Sequence, residues 1–342
     1  MGQRVTLGDI ARQSNVSLAT VSLVLRGKPG INTETRQRVL NVARGLQYRT
    51  RPHVDLVTEP GLQRVGMLIK TRAGDPPHSN HFYAPVLAGI EAACRRHHIN
   101  LLVATVPVDT DNHPEELPRM LKEDDLDGLL LVGAFVDSTI TRLLERRHVP
   151  TVLVDAYAAE NSYDAVLSDN IRGAYEAVSF LIQNGHRHIG VVGSLPNAYP
   201  SFEERRRGYR QALHDHALPE HYFADCRPEA AAEATANLLR QSPQVTALFC
   251  CNDAMALDVM QAAQALGRRI PDDISIIGFD NIDLAEHVTP ALTTMHVDKI
   301  SMGRLAVQLL MYRAAFPGVS QVTNILRPTL VKRASVRAMQ HA

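Results

Sequence analysis

The residues of this chain best placed to do chemistry are polar ones that follow short apolar runs. Lys70 follows the run 65–69, Asn252 and Asp253 follow TALFCC at 246–251, and Asp280 and Asn281 follow ISIIGF at 274–279. If those runs are parallel strands, their carboxyl ends meet at a crevice where such folds hold ligands. Asp253 and Asp280 then allow two readings. A carboxylate pair can share acid and base work. Alternatively, each ionised carboxylate only accepts hydrogen bonds, which suits the hydroxyl row of a sugar or polyol with no reaction at all. Familiar catalytic signatures are missing: there is no GxxxxGK[ST], GxSxG or HExxH. The stretch VGSLPNAYPSF at 192–202 lacks the second and third glycines that let a backbone approach a pyrophosphate. Cys94, Cys226, Cys250 and Cys251 show no CxxC or zinc-ligand spacing, and the last two close an apolar run as small buried residues do. His97–His98 and His186/His188 lack a third and fourth ligand at suitable spacing. Neither metal nor cofactor is implied.

A second chemistry is written at the N-terminus. Residues 5–25, VTLGDIARQSNVSLATVSLVL, read as two short helices joined by a tight polar turn. Thr6 with Asp9 suggests a capping box, Gln13, Ser14 and Asn15 make the turn, Val16 plugs it from below, and Ser17 caps the second helix. Asn32 can cap a third helix over 33–46. This geometry lets one helix rest on phosphates while the next enters the major groove. Within residues 1–53, nine Lys and Arg oppose only Asp9 and Glu34, a surplus of seven, whereas the 342-residue chain is formally neutral. Such a surplus favours a polyanion. The bland reading is a helical cap on a cytoplasmic sugar-binding protein or enzyme.

The elements that position these groups follow from periodicity. Apolar content of 45% with 21% charged residues describes an ordinary globular protein, too long for one small core. No 18-residue apolar run and no signal peptide are visible, so a cytoplasmic location without membrane contact is expected. After the head (1–48), residues 49–63 carry two prolines and a glycine and read as a hinge. Strands and helices then alternate. Strands fall at 65–69, 100–106, 129–132 and 151–154, with helices at 83–96 and near 115–122; the pattern restarts with a helix at 170–184. The fold class is α/β: a three-helix head plus a bilobal domain (64–333) with parallel sheets. Lobe one is expected at about 64–160 and 290–333, and lobe two at about 161–289. A last strand is read at 323–331.

Over essentially its whole length the sequence resembles the lac-repressor family of bacterial transcription regulators. The motifs that carry the likeness include VTLGDIARQSNVSLATVSLVLRGKPGINTETRQRVLNVARGLQY in the head. Beyond it stand VPTVLVD, ERRRGYRQAL, CNDAMALDVMQAAQALGRRIPDDISIIGFDN and TPALTTMHVDKISMGRLAVQLL. The resemblance implies a homodimeric repressor that binds a pseudopalindromic double-stranded operator. It also implies lobes built like periplasmic sugar-binding proteins, and a small effector that is a sugar, sugar acid or nucleobase.

Carried over residue by residue, Leu18 and Ala19 stand where the family reads bases, Ser17 and Thr20 where it touches phosphates, and Leu23 where many members carry an arginine. Leucine and alanine offer only apolar contacts, chiefly to thymine methyls. Together with Thr6, Asn32 and Tyr48 these form the expected DNA surface. In the hinge, Val57 occupies the place of the family's leucine wedge, Thr50 replaces a proline, and Asp55 near a phosphate backbone would be unfavourable. In the ligand domain, His81 and Phe82 fall in the first-lobe contact region, and Arg205, Asn252 and Asp280 match effector-binding positions. Arg205 offers a donor fork and Asp280 an acceptor pair. Arg205 can also be read as one surface arginine beside Arg206 and Arg207.

Overall fold

The structure is a computed structural model. It describes residues 7–17, 20–21, 24, 31–46, 62–72, 80–109, 112–116, 118–122, 126–136, 140–142, 144, 148–159, 163–193, 195 and 198–339. The chain divides into two units, Met1–Gly61 and Leu62–Ala342.

In the first unit, α1 (Leu7–Ser14) ends at Asn15, whose φ of 52° turns the chain. Ser14 Oγ returns to the Ile10 carbonyl at 2.6 Å, closing the last turn of α1 from a buried position. Ser17 then caps the next helix, its Oγ accepting the Thr20 amide at 3.1 Å. Helix α2 (Thr33–Gly45) starts the same way, with the Thr35 amide donating to Asn32 Oδ1 at 2.8 Å. Ile10, Val21, Val24, Val39 and Ala43 close a small core between these helices.

The second unit holds two six-stranded sheets. Sheet one contains β1 (Arg64–Thr71), β2 (Asn100–Pro107), β3 (Gly128–Val132), β5 (Thr151–Val154), β7 (Asp164–Ser168) and β13 (Thr323–Leu326), all parallel, in the order β13-β7-β5-β3-β1-β2. Every residue of β3 and β5 is buried, as strands covered on both faces must be. A minor pair, β4 (Phe135–Val136) and β6 (Tyr157–Ala158), lies beside it in sequence. Sheet two contains β8 (Ile189–Val192), β9 (Phe223–Ala224), β10 (Ala247–Cys250), β11 (Ser275–Asp280), β12 (Thr293–His296) and β14 (Thr329–Val331), in the order β14-β12-β11-β10-β8-β9. Only β14 there runs antiparallel.

Helices cover both sheets. On sheet one, α3 (Tyr83–Arg96) buries Val86, Gly89, Ile90 and Ala93, the three-and-four spacing of one helical face. Sheet two carries α4 (Asn170–Gln183), α5 (Pro200–Asp215), α6 (Ala231–Gln241), α7 (Asp253–Ala265) and the single turn α8 (Leu284–His287). Helix α9 (Lys299–Ala315) returns to sheet one and packs along α3. Its N-terminus is capped by Asp298, which accepts the Ser301 amide at 2.9 Å.

Four expectations need correction. Strand β7 belongs to sheet one, so lobe one runs to Ser168 rather than to about 160. Strand β12 belongs to sheet two, so residues 290–296 are in lobe two. The run 323–331 is two strands in different sheets, broken at Arg327 and Pro328, because proline has no N–H to continue a ladder. Near 115–122, the described residues form only a 3₁₀ turn, Arg119–Lys122, preceded by a bridge between Val108 and Pro114. The chain thus crosses between lobes three times, after β7, after β12 and after β13.

A cleft lined by both lobes

Of the expected DNA surface, the structure describes three residues. Ser17 is exposed and shares a 2.8 Å hydroxyl contact with Thr20, while Asn32 is exposed and engaged as a cap. Ser17 and Asn32 hold helix starts, where backbone N–H groups collect, and Thr20 lies in the turn that Ser17 caps. Thr6, Leu18, Ala19, Leu23, Tyr48 and Val57 lie outside the described residues, as does the hinge core.

In the second unit, a cavity of about 450 Å³ opens between the sheets at the carboxyl ends of their strands. His81, Phe82, Arg205, Asn252 and Asp280 all line it. Arg205 is 4% exposed, so the surface-arginine reading fails. It comes from α5, which starts at Pro200 and packs along α4. Its Nε donates to Asn170 Oδ1 at 2.9 Å, an Nη donates to the Cys251 carbonyl, and its plane sits 4.0 Å from the Phe279 ring centroid. Nη2 reaches Asp280 Oδ1 at 3.1 Å, an ion-pair distance without the alignment of a hydrogen bond. Burial pushes Asp280 up to about 6, against the pull of Arg205 and Lys299. Asn252 caps α7, its Oδ1 accepting the Met255 amide at 2.9 Å.

The opposite wall shows what sequence reasoning passed over. Asp155, at the end of β5, is 6% exposed and accepts the Tyr83 hydroxyl at 2.9 Å. Burial raises it, opposed by the charges of Lys70 and Arg205. Asp155 Oδ1 and Asp280 Oδ1 are both buried with no hydrogen-bond partner among the described residues. Lys70 lies 4.9 Å from the Tyr199 ring centroid and donates to Asn112 Oδ1. Asp155 closes the motif VPTVLVD just as Asp280 closes ISIIGFD; the same rule of polar residues at strand ends points to both.

Asp253 is not a rim carboxylate. It is fully buried, outside the cavity lining, and accepts the Ile282 amide at 2.9 Å and the Thr294 hydroxyl at 2.5 Å. Burial, then the nearby Asp280 charge, pushes it up to about 7. Asp253 therefore does not pair with Asp280 at the cleft wall. His186 is buried between Thr246 and the Arg337 carbonyl, and no group of three metal-binding side chains occurs among the described residues.

Comparison with known proteins agrees with this architecture. Residues 6–51 match the bacterial regulatory proteins of the lacI family, and residues 178–336 match a periplasmic binding protein-like domain. The chain is 33% identical over 341 residues to the ribose operon repressor of Haemophilus influenzae, covering 98% of this chain and 99% of that protein. It is 31% identical to the transcriptional repressor PurR of Klebsiella pneumoniae, over 97% of this chain and 96% of the other. Among solved structures, the regulator CelR in complex with cellobiose superposes with a TM-score of 0.70 at 27% identity, covering 97% of this chain and all of that one. The chain belongs to the lacI family of bacterial regulatory proteins. It is a sequence-specific DNA-binding transcription regulator under the control of a small polar effector. Among the described residues no helix is long and apolar enough to cross a membrane.

Proposed function

We propose that this regulator is a homodimeric repressor whose effector is a small polyhydroxylated sugar bound in the cleft by Asp155, Asn252, Arg205 and Asp280, with His81 and Phe82 at its first-lobe edge. The observation that carries the reading is the pair of buried carboxylates, Asp155 and Asp280, which line the same cavity from opposite lobes, each with an Oδ1 outside any aligned hydrogen bond. An unfilled buried acceptor costs about 1–3 kcal/mol, a cost that a ligand O–H recovers at Asp155, while at Asp280 a ligand O–H joins the ion pair with Arg205. Phe82, Phe202 and Tyr199 add ring faces suited to the C–H side of a sugar. The relative named for a ribose operon makes a pentose the first choice. A nucleobase has fewer donors for two separated carboxylates. Asp253, the partner that an Asp253–Asp280 acid–base pair would need, is committed to Ile282 and Thr294.

On the DNA side, Ser17, Thr20 and Asn32 supply phosphate contacts, with Thr6, Leu18, Ala19, Leu23, Tyr48 and Val57 completing the operator surface. Calorimetry of the full-length protein with D-ribose, D-gluconate and hypoxanthine tests the effector assignment. Binding of D-ribose is expected; binding of hypoxanthine alone replaces the sugar reading with a purine one.

A further inference from the structure

The effector reading places the turn at Asp280, Asn281 and Ile282 in the cleft wall, and a buried lysine outside the cavity lining holds that turn. Lys299 is 6% exposed and sits in the first turn of α9. Its Nζ donates to the Asp280 carbonyl at 2.5 Å, the Asn281 carbonyl at 3.1 Å and the Val297 carbonyl at 3.3 Å. An ammonium has three donors, and here each meets a main-chain acceptor. The turn it grips is unusual. Asp280 and Asn281 are consecutive non-glycine residues at φ 109° and 51°, conformations that need external support. Asp253 supplies part of that support from inside lobe two, through the Ile282 amide. Arg333 and His296 hold the Asn281 side chain, Arg205 pairs with Asp280, and Lys299 grips the main chain of the turn from a helix packed on lobe one.

That helix does not move freely against its neighbour. A Cβ on Gly89 would lie 2.2 Å from the Ile300 carbonyl oxygen, and one on Gly303 would lie 2.2 Å from the Val86 carbonyl oxygen. The backbones of α3 and α9 are therefore in direct contact at two points, and the first is the residue next to Lys299. Such an approach leaves no side chain between the helices to absorb a shift. Helix α3 begins at Tyr83, which holds Asp155, and the preceding Phe82 ring centroid lies 5.9 Å from Lys299 Nζ. One ammonium thus touches the lobe-two turn that carries Asp280 and stands at the head of the lobe-one helix pair.

We propose that Lys299 is a positioning residue that makes the Asp280–Asn281 turn and the α3–α9 pair move as one body, so that a change at the effector turn is transmitted into lobe one. The proposal rests on the effector reading only for what triggers the change; the mechanical link can be tested without any ligand. Hydrogen–deuterium exchange on the full-length protein, in a four-way cycle of Asp280→Asn and Lys299→Met, reads it directly. Asp280→Asn is expected to speed exchange at the start of α3 by about fivefold when Lys299 is present and to leave it unchanged in the Lys299→Met background. A merely structural lysine would speed exchange by itself but would leave the effect of Asp280→Asn intact. Lys299→Arg, which keeps a cation with several donors, is expected to restore at least part of the transmission. If thermal melts show that Lys299→Met does not fold, Lys299→Gln takes its place in the cycle. Equal effects of Asp280→Asn in both backgrounds, or no effect on α3 in either, overturn the proposal. D-ribose calorimetry on the same samples reports separately on the effector reading, so failure there and failure of the link are distinguishable.

Discussion

At the scale of single residues, burial sets the chemistry of each aspartate more than its neighbours do. Asp155, Asp253 and Asp280 all lie at or just beyond strand ends, yet their burdens differ. Asp155→Asn keeps the size of the side chain and an acceptor for the Tyr83 hydroxyl but removes the charged oxygen from the cleft. Calorimetry should show D-ribose affinity weakened by about 1–3 kcal/mol, the cost of losing one charge-assisted bond. Unchanged affinity in a folded variant would take Asp155 out of the site. Asp253 makes a pH prediction. Its folded value of about 7 stands above the ordinary 3.8, so the folded protein holds an extra proton between those limits. Stability from this group is full below about pH 4 and is lost as pH rises towards 7. Thermal melts across that window should fall more steeply for the native protein than for Asp253→Asn; parallel profiles would mean that Asp253 is ionised throughout.

At the scale of elements, close helix contacts and caps decide where the site groups stand. Gly89→Ala puts a Cβ 2.2 Å from the Ile300 carbonyl, a clash with backbone that only a separation of α3 from α9 relieves. Overpacking of this kind costs about 1–3 kcal/mol, so a lowered melting temperature is expected, and a melt equal to the native protein's would show that the helices have room. The same logic applies at Gly278, where a Cβ would meet Asp253 Oδ1 at 2.1 Å. Asp298→Ala removes the N-cap at the second crossover and should cost about 1 kcal/mol, which chemical denaturation can read.

At the scale of the whole molecule, the two units carry separable tasks. A chain lacking residues 1–61 should retain D-ribose binding and lose affinity for duplex DNA, since the positive surplus and the helix-turn-helix leave with the head. For the intact protein, the logarithm of DNA affinity should fall linearly with the logarithm of salt as counterions are released. A flat profile would argue against phosphate contact by the head. Sedimentation of the full-length chain should give a dimer, matching a pseudopalindromic operator.

The sequence by itself determined whatever is local or repeated. The caps at Ser17 and Asn32, the positive head, the strand–helix alternation and the polar residues ending apolar strands are all written in neighbouring positions, where backbone sterics and periodicity act. Cleft residues such as Arg205 and Asp280 were legible through resemblance and their chemistry. Only the tertiary structure decided which strand joins which sheet. Residues 164–168 and 293–296 look alike as strands, and pairing partners far along the chain assign them to opposite lobes. It also separated Asp253 from Asp280. Both follow buried strands, but one turns inward to an amide and a hydroxyl while the other faces the cleft. Lys299 stands inside the motif TPALTTMHVDKISMGRLAVQLL, but its role is not legible there, because it depends on three carbonyls that only the fold brings to one point.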